Sequence, residues 1–263
     1  MKNFAFTLDL EADYSGCVGE YGLFKEPEKI EGLLSWLSSF GVRITVFVVG
    51  EIFELYPEIV RIFEKYHCEF EAHSYSHSTS SQDLASEIEK SRVAYFSYFK
   101  KYPLGYRAPQ GRITPSAIRL LEKHGFLYDS SVFPSYYPDP LRYLFCKRSV
   151  HYYDYANIME IPMTSVSPFR LTLSVSYLKL LGFNFFLMLL RVFGLPDSIC
   201  FNAHLHDFIV CEDSYSKLSG FWKFIYGRNK YSGKDYTQSF LELIQKRQYS
   251  FCFLSEMLEL YKR

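Results

Sequence analysis

The sequence lacks an excess of either charge. Its 263 residues carry 29 Lys+Arg and 29 Asp+Glu, so no surplus of positive charge is available to meet phosphates, which excludes a nucleic-acid module. Charged residues make up only 22% of the chain against 48% hydrophobic ones, which excludes a disordered segment. The six cysteines (Cys17, Cys68, Cys146, Cys200, Cys211, Cys252) include no CxxC pair and are expected to be reduced and mostly buried. Asp9 and Glu11 interrupt the apolar start before a secretory signal could form, so a cytoplasmic protein is expected. No run reaches the roughly 20 apolar residues of a spanning helix. The nearest candidate, Tyr177 to Phe193, predicts a buried helix against a sheet or, alternatively, a peripheral contact with the inner face of a membrane. Linkers, low-complexity tracts and clean repeats are also missing, and one domain over residues 1–263 is expected.

What the chain does have is aromatic side chains: 23 Tyr, 25 Phe and 2 Trp, 19% of the sequence. Some lie at strand period. Phe4, Phe6, Leu8 and Leu10 alternate with small or polar residues, and Ile44 to Val49 form a β-branched run closed by Gly50. Pro27 opens a helical pattern with Ile30, Leu33, Leu34 and Leu37 on one face, and Thr114-Pro115 has the signature of a capped helix start. A helix is expected from Glu51 to Lys65, bent at Pro57, and another from Gln82 to Lys101. Strands separated by helices of this size mean βα units and a parallel sheet; seven or so units suit a closed or partly closed barrel. Two aromatic loop insertions, near 133–157 and 212–235, break the rhythm. The pairs Tyr136-Tyr137 and Tyr152-Tyr153 would either stack on a flat ligand or pack the insertion.

Active residues of parallel α/β folds gather at the C-terminal ends of strands. Those positions hold Asp9 and Glu11, His73 and His77, Arg107, and His204 and His206. His73-Ser74-Tyr75-Ser76-His77 is the sharpest local pattern. On a helical turn the HxxxH spacing puts both imidazoles on one side, where they suit a transition metal with a carboxylate as third ligand. The same spacing also arises by chance or for structural reasons.

Taken in order, Asp9-Leu10-Glu11, His73-x3-His77, Arg107-Ala108-Pro109-Gln110-Gly111, Tyr128-Asp129-Ser130-Ser131 and His204 resemble the motifs of polysaccharide deacetylases, the chitooligosaccharide deacetylase homology group or carbohydrate esterase family four. The likeness runs from Thr7 to about Leu254, and the Asp-x-Glu opening is closer to the intracellular-type branch. The resemblance implies an α/β fold, a distorted (β/α) barrel of seven to eight units with parallel strands. It implies Asp9 as general base, Arg107 as its support and His204 as general acid, with Glu11, His73 and His77 holding one divalent metal ion. Zn2+ is the first expectation, with Co2+, Mn2+, Ni2+ or Fe2+ as alternatives. Pro109, Gly111, Asp129 and Tyr106 are the expected substrate contacts. Several assignments stay open: Asp13 could replace Glu11 at the metal, and His206 could replace His204 as the acid. Asp129 would either orient His204 or cap a turn, and Pro109 and Gly111 could serve only to shape theirs.

The activity so implied is hydrolytic removal of an N-acyl group from an amino sugar in a polysaccharide, an oligosaccharide or a lipid-linked glycan precursor. Deacylation of a small non-sugar amide and a catalytically inactive carbohydrate-binding role are the alternatives.

Overall fold

Strand β1 (Asn3–Leu10) is buried along its whole length, as a strand covered on both faces must be. The computed structural model describes residues 2–80, 83–136 and 143–261. Beyond β1 the sheet contains β2 (Ile44–Val48), β3 (Glu69–Ala72), β4 (Gly105–Tyr106), β5 (Tyr128–Asp129), β6 (His151–Tyr152) and β7 (Met159–Glu160). After the small antiparallel pair β8 (Ser165–Val166) and β9 (Leu171–Thr172), β10 (Ser198–His204) and β11 (Ser250–Phe251) return to it. The strand order is β10-β1-β2-β3-β4-β5-β7-β6, with β11 also on β1. Every pairing is parallel except that of the edge strand β6 with β7. The expected barrel is thus a curled, half-closed sheet.

The helices follow the chain's punctuation. Helices α1 (Pro27–Ser39), α2 (Ile52–Leu55) and α3 (Pro57–Lys65) come first, and Pro57 separates the last two where a bend is expected. Next are α4 (Leu84–Phe99) and α5 (Pro115–Lys123), whose cap Thr114 accepts a hydrogen bond from the Ala117 N–H. The apolar segment is not one helix but two, α6 (Val175–Leu181) and α7 (Phe183–Phe193), bent by 106° at Gly182. Gly182 has φ +88°, a conformation that favours a residue without Cβ. No single helix is long and apolar enough to cross a membrane among the described residues. The expected loop at 212–235 is largely helical: α8 (Glu212–Lys217), α9 (Gly220–Gly227) and the start of α10 (Gly233–Lys246). The chain ends in α11 (Leu254–Tyr261). Of the other insertion, Tyr137 lies outside the described residues.

Period two decides where the chemistry goes. Phe4, Phe6, Leu8 and Leu10 point to one side of β1 and join a core under the helices, where Phe201 stacks on Phe240 at 4.9 Å between ring centroids. The alternate residues Ala5, Thr7 and Asp9 face the concave side with Cys200, Asn202 and His204 of β10, because the register pairs Thr7 with Asn202 and Asp9 with His204. The lower concave side is filled by Ala5, Phe47, Tyr128, Met159, Ile161 and Cys200. Thr45, Glu69 and Glu71 form a separate polar group toward the N-terminal strand ends, and the carboxylates and imidazoles of the site stand at the C-terminal ends.

Candidate active site

Arg107 is the hub of the concave side. It follows β4, is 1% exposed, and its Nη1 donates to Asp9 Oδ1 at 2.6 Å, Thr7 Oγ1 at 3.0 Å and Asn202 Oδ1 at 2.9 Å. Its Nε and Nη2 donate to the carbonyl and hydroxyl of Ser130, both at 3.0 Å. The planar guanidinium lies over the Phe47 ring, 3.9 Å from its centroid. Asp9 therefore has one oxygen fixed by Arg107. The other accepts from Asn202 Nδ2 at 3.3 Å and lies 3.6 Å from His204 Nε2.

Glu11 lies two residues beyond Asp9, where β1 has ended. Its Oε2 is 2.6 Å from His77 Nε2 and 3.3 Å from His73 Nε2, and its Oε1 is 3.5 Å from His204 Nε2. The HxxxH segment is not helical. It leaves β3 as a turn with positive φ at Ser74 and His77, and this turn, not helical stacking, brings the imidazoles to 5.1 Å between centroids. His73 Nδ1 donates to the Arg107 carbonyl at 2.8 Å, since a carbonyl only accepts. This leaves Nε2 as the ring atom aimed at Glu11 Oε2, 3.3 Å away. Glu11 Oε1 is buried without a hydrogen-bond partner, so the carboxylate has acceptor capacity to spare for a cation. One donor atom each from Glu11, His73 and His77 lie within 4.8 Å of one another. The residues present fit a divalent cation, and the Arg107 carbonyl on Nδ1 orients the His73 ring with Nε2 toward Glu11. Burial opposes charge on Glu11, but His77, His73 and His204 outweigh it and hold its carboxyl well below the usual range.

At the end of β10 the His204 and His206 rings stack, 4.8 Å between centroids, yet only His204 reaches the carboxylates. The chain turns into a 3-10 segment, Leu205–Asp207, so alternation stops and His206 is buried against Tyr14 and Tyr226. Burial pushes the His206 imidazole down to about 3. His204 is the histidine brought to Asp9 and Glu11. Burial alone would lower its pKa, but the hydrogen bond to Asp207, then the charges of Glu11 and Asp9, raise it to about 9. Asp207 accepts from the His204 backbone N–H at 3.0 Å, lies 3.5 Å from His204 Nδ1, and is backed by Ser176 at 2.9 Å and buried Lys179 at 3.5 Å.

Other expected residues fall elsewhere. Asp13 is turned away from Glu11, His73 and His77: it accepts from the Gly22 and Leu23 N–H groups and from the Ser214 hydroxyl. Asp129 neither orients His204 nor reaches the cavity. It accepts from Ser131 Oγ at 2.5 Å, and Ser131 in turn accepts from the Ala108 N–H at 2.8 Å, so Asp129 supports the Arg107 turn. Tyr106 is fully buried and packs against Phe126, a core residue and not a substrate contact. Pro109 is buried at the start of the 3-10 turn Pro109–Gly111. Gly111 does line the cavity, and at φ +65° its absent Cβ leaves room for Ser131 O and Phe133. Sequence reasoning missed Asn202 and Asp207. Strand period two from His204 would have found the first, and its i+3 position the second.

These groups open into a cavity of about 330 Å³ whose outer wall is Phe133, Tyr177, Leu180, Trp222, Ile225 and Tyr226. A polar floor of carboxylates and imidazoles under an aromatic wall suits an amphipathic ring such as a sugar. A larger cavity of about 650 Å³, between β8, the α7–β10 turn and α11, contains none of the titratable groups above.

Residues 20–128 match the family model of polysaccharide deacetylases. The chain is 31% identical over 124 residues to a peptidoglycan deacetylase-like protein of Gibberella zeae, covering 44% of this chain and 37% of that one. It is 29% identical over 143 residues to a peptidoglycan deacetylase of Helicobacter pylori, covering 49% and 48%. The matches thus span less than half of either relative's length. Among solved structures, one from Mycobacterium smegmatis, assigned as a polysaccharide deacetylase, superposes over 98% of this chain and 88% of its own with a TM-score of 0.60 at 19% identity, a likeness of fold. Over residues 20–128 the chain is thus similar to the polysaccharide deacetylase family, and its curled parallel sheet is similar in fold to the Mycobacterium smegmatis structure.

Proposed function

We propose that this chain hydrolyses the N-acyl group, acetyl first, from an amino sugar in a polysaccharide, oligosaccharide or lipid-linked glycan, with one divalent metal ion, Zn2+ in the first instance. The observation that carries the reading is the cluster of Glu11, His73 and His77 with a second carboxylate, Asp9, and a further imidazole, His204, beside it. The curated relatives' deacetylase names support the sugar substrate.

An ion held by Glu11, His73 and His77 would polarise the acyl carbonyl and make a water acidic enough to attack it. The remaining work falls to the chain. Arg107 and Asn202 hold Asp9 so that Oδ2 faces the cavity, ready to take the proton of the attacking water. An amine leaves only when protonated, and Nε2 of His204 presents that proton. Asp207 holds the His204 backbone N–H, sets its carboxylate 3.5 Å behind Nδ1, and is itself held by Ser176 and Lys179. Water and amide are consumed, and carboxylate and free amine result.

The test is acetate release from N-acetylated glycans, soluble and lipid-linked. Wild type should release acetate and Asp9→Asn should lose about 10²–10⁴ of the rate. Release from small non-sugar amides with none from any N-acetyl sugar would overturn the substrate assignment.

A further inference from the structure

Helix α7 carries two apolar stripes, and only one of them is covered. Phe186, Leu189 and Leu190 are buried, while Phe185, Met188 and Val192, spaced i, i+3 and i+7, are 40%, 52% and 69% exposed. Helix α9, of sequence Gly-Phe-Trp-Lys-Phe-Ile-Tyr-Gly, has no buried residue at all; Phe221 and Phe224 are 66% and 63% exposed. Helix α6 packs against both, so the uncovered faces belong to neighbours of one helix. Exposed large apolar side chains gathered in this way mark an interaction surface. Phe221 also lines the catalytic cavity, so the surface reaches its rim.

The charge around these helices is one-sided. Residues 161–196 and 214–234 contain eight Lys and Arg and no Asp or Glu, in a chain balanced at 29 of each. Lys179, Lys217 and Lys230 are spent on Asp207, Glu20 and Glu212. Arg191, Lys223 and Arg228 form no ion pair among the described residues and stand exposed beside the apolar stripes.

We propose that α7 and α9 dock the protein on an anionic lipid surface, with the cavity mouth at the bilayer. Aromatic and aliphatic side chains would enter the headgroup boundary, and the basic residues would meet lipid phosphates. A second copy of the chain fits less well, because a twofold contact through this face would bring its acid-free basic segments against their own copies. The inference does not rest on the deacetylase reading, since lipid binding needs no turnover.

Co-sedimentation of the whole chain with phosphatidylglycerol–phosphatidylcholine vesicles, and with phosphatidylcholine alone, tests it. Binding is expected on the anionic vesicles only. Met188→Ser/Val192→Ser/Phe224→Ser should reduce it about tenfold or more with unchanged circular dichroism. The charge variant Lys223→Glu/Arg228→Glu, which leaves the apolar stripes intact, should also release the protein severalfold. A wild type that stays in the supernatant overturns the proposal, as does binding that survives both variants. Light scattering that shows a dimer dispersed by the apolar substitutions overturns it in favour of self-association.

Discussion

Replacing Arg107 by Met would test whether the site and the fold share one electrostatic hub. The guanidinium and the Asp9 carboxylate are 2.6 Å apart with side chains 1% and 5% exposed, so each is charged where water cannot compensate. Removing the cation strands a buried carboxylate and frees the Ser130, Thr7 and Asn202 acceptors as well. Loss of one partner of a buried pair costs about 3–5 kcal/mol, a large share of the 5–15 kcal/mol by which a domain is stable. Asp9→Asn leaves the opposite charge alone and should cost a similar amount. The double variant, with neither charge, should be less destabilised than the sum of the two by about 2 kcal/mol. Urea unfolding followed by the fluorescence of Trp36 and Trp222, with chelator present throughout, measures all four corners of the cycle. A single loss below about 1 kcal/mol, or singles that add within about 0.5 kcal/mol, would refute the claim that Arg107 and Asp9 depend on each other.

If His204 protonates the leaving amine as proposed, Asp207→Asn should lower kcat about 100-fold while KM changes little, because the imidazole loses its anionic support. Lys179→Met, which disturbs Asp207 from the far side, should cost stability and leave most of kcat, separating positioning from packing. Glu160 offers a pH test away from the cavity. Burial and then neighbouring Asp129 raise its pKa well above that of a free carboxyl, so the folded state binds its proton more tightly than the unfolded chain does. That contribution is complete below the unfolded pKa of about 4.3 and is lost as pH rises through the folded value. Glu160→Gln should therefore raise the unfolding midpoint at pH 7, and the gain should vanish near pH 4; a gain independent of pH would contradict the assignment.

Much of this was legible in the sequence because strands carry their orientation in their period. Asp9 and His204 could be placed at parallel strand ends from residue alternation alone, and Arg107 from its position after the short strand at Gly105-Tyr106. What remained hidden depended on chain geometry at the ends of elements. His204 and His206 share a parity, and only the 3-10 turn after β10 buries the second behind the first, against Tyr14 and Tyr226. The HxxxH motif suggested a helix, yet two left-handed residues make a tighter turn reach the same ligand geometry. Asp129 lies in a matching motif, but its partner is set by the side-chain contacts of Ser131 and not by spacing. The aromatic excess divided the same way. Phe4, Phe6 and Phe201 are core, Trp222 and Tyr226 wall the cavity, and Phe185 and Phe224 stay uncovered.

The central claim is that Glu11, His73 and His77 hold a catalytic metal beside Asp9 and His204. Its most direct test is acetate release from an N-acetylated glycan after exhaustive chelation and again after adding Zn2+, Co2+ or Mn2+ back, alongside equilibrium dialysis of metal on wild type and Glu11→Ala/His77→Ala. The account predicts activity lost on chelation and restored by metal, one bound ion per wild-type chain, and none retained by the double variant. Acetate release that continues without metal, or a double variant that binds the ion as tightly as wild type, would contradict it.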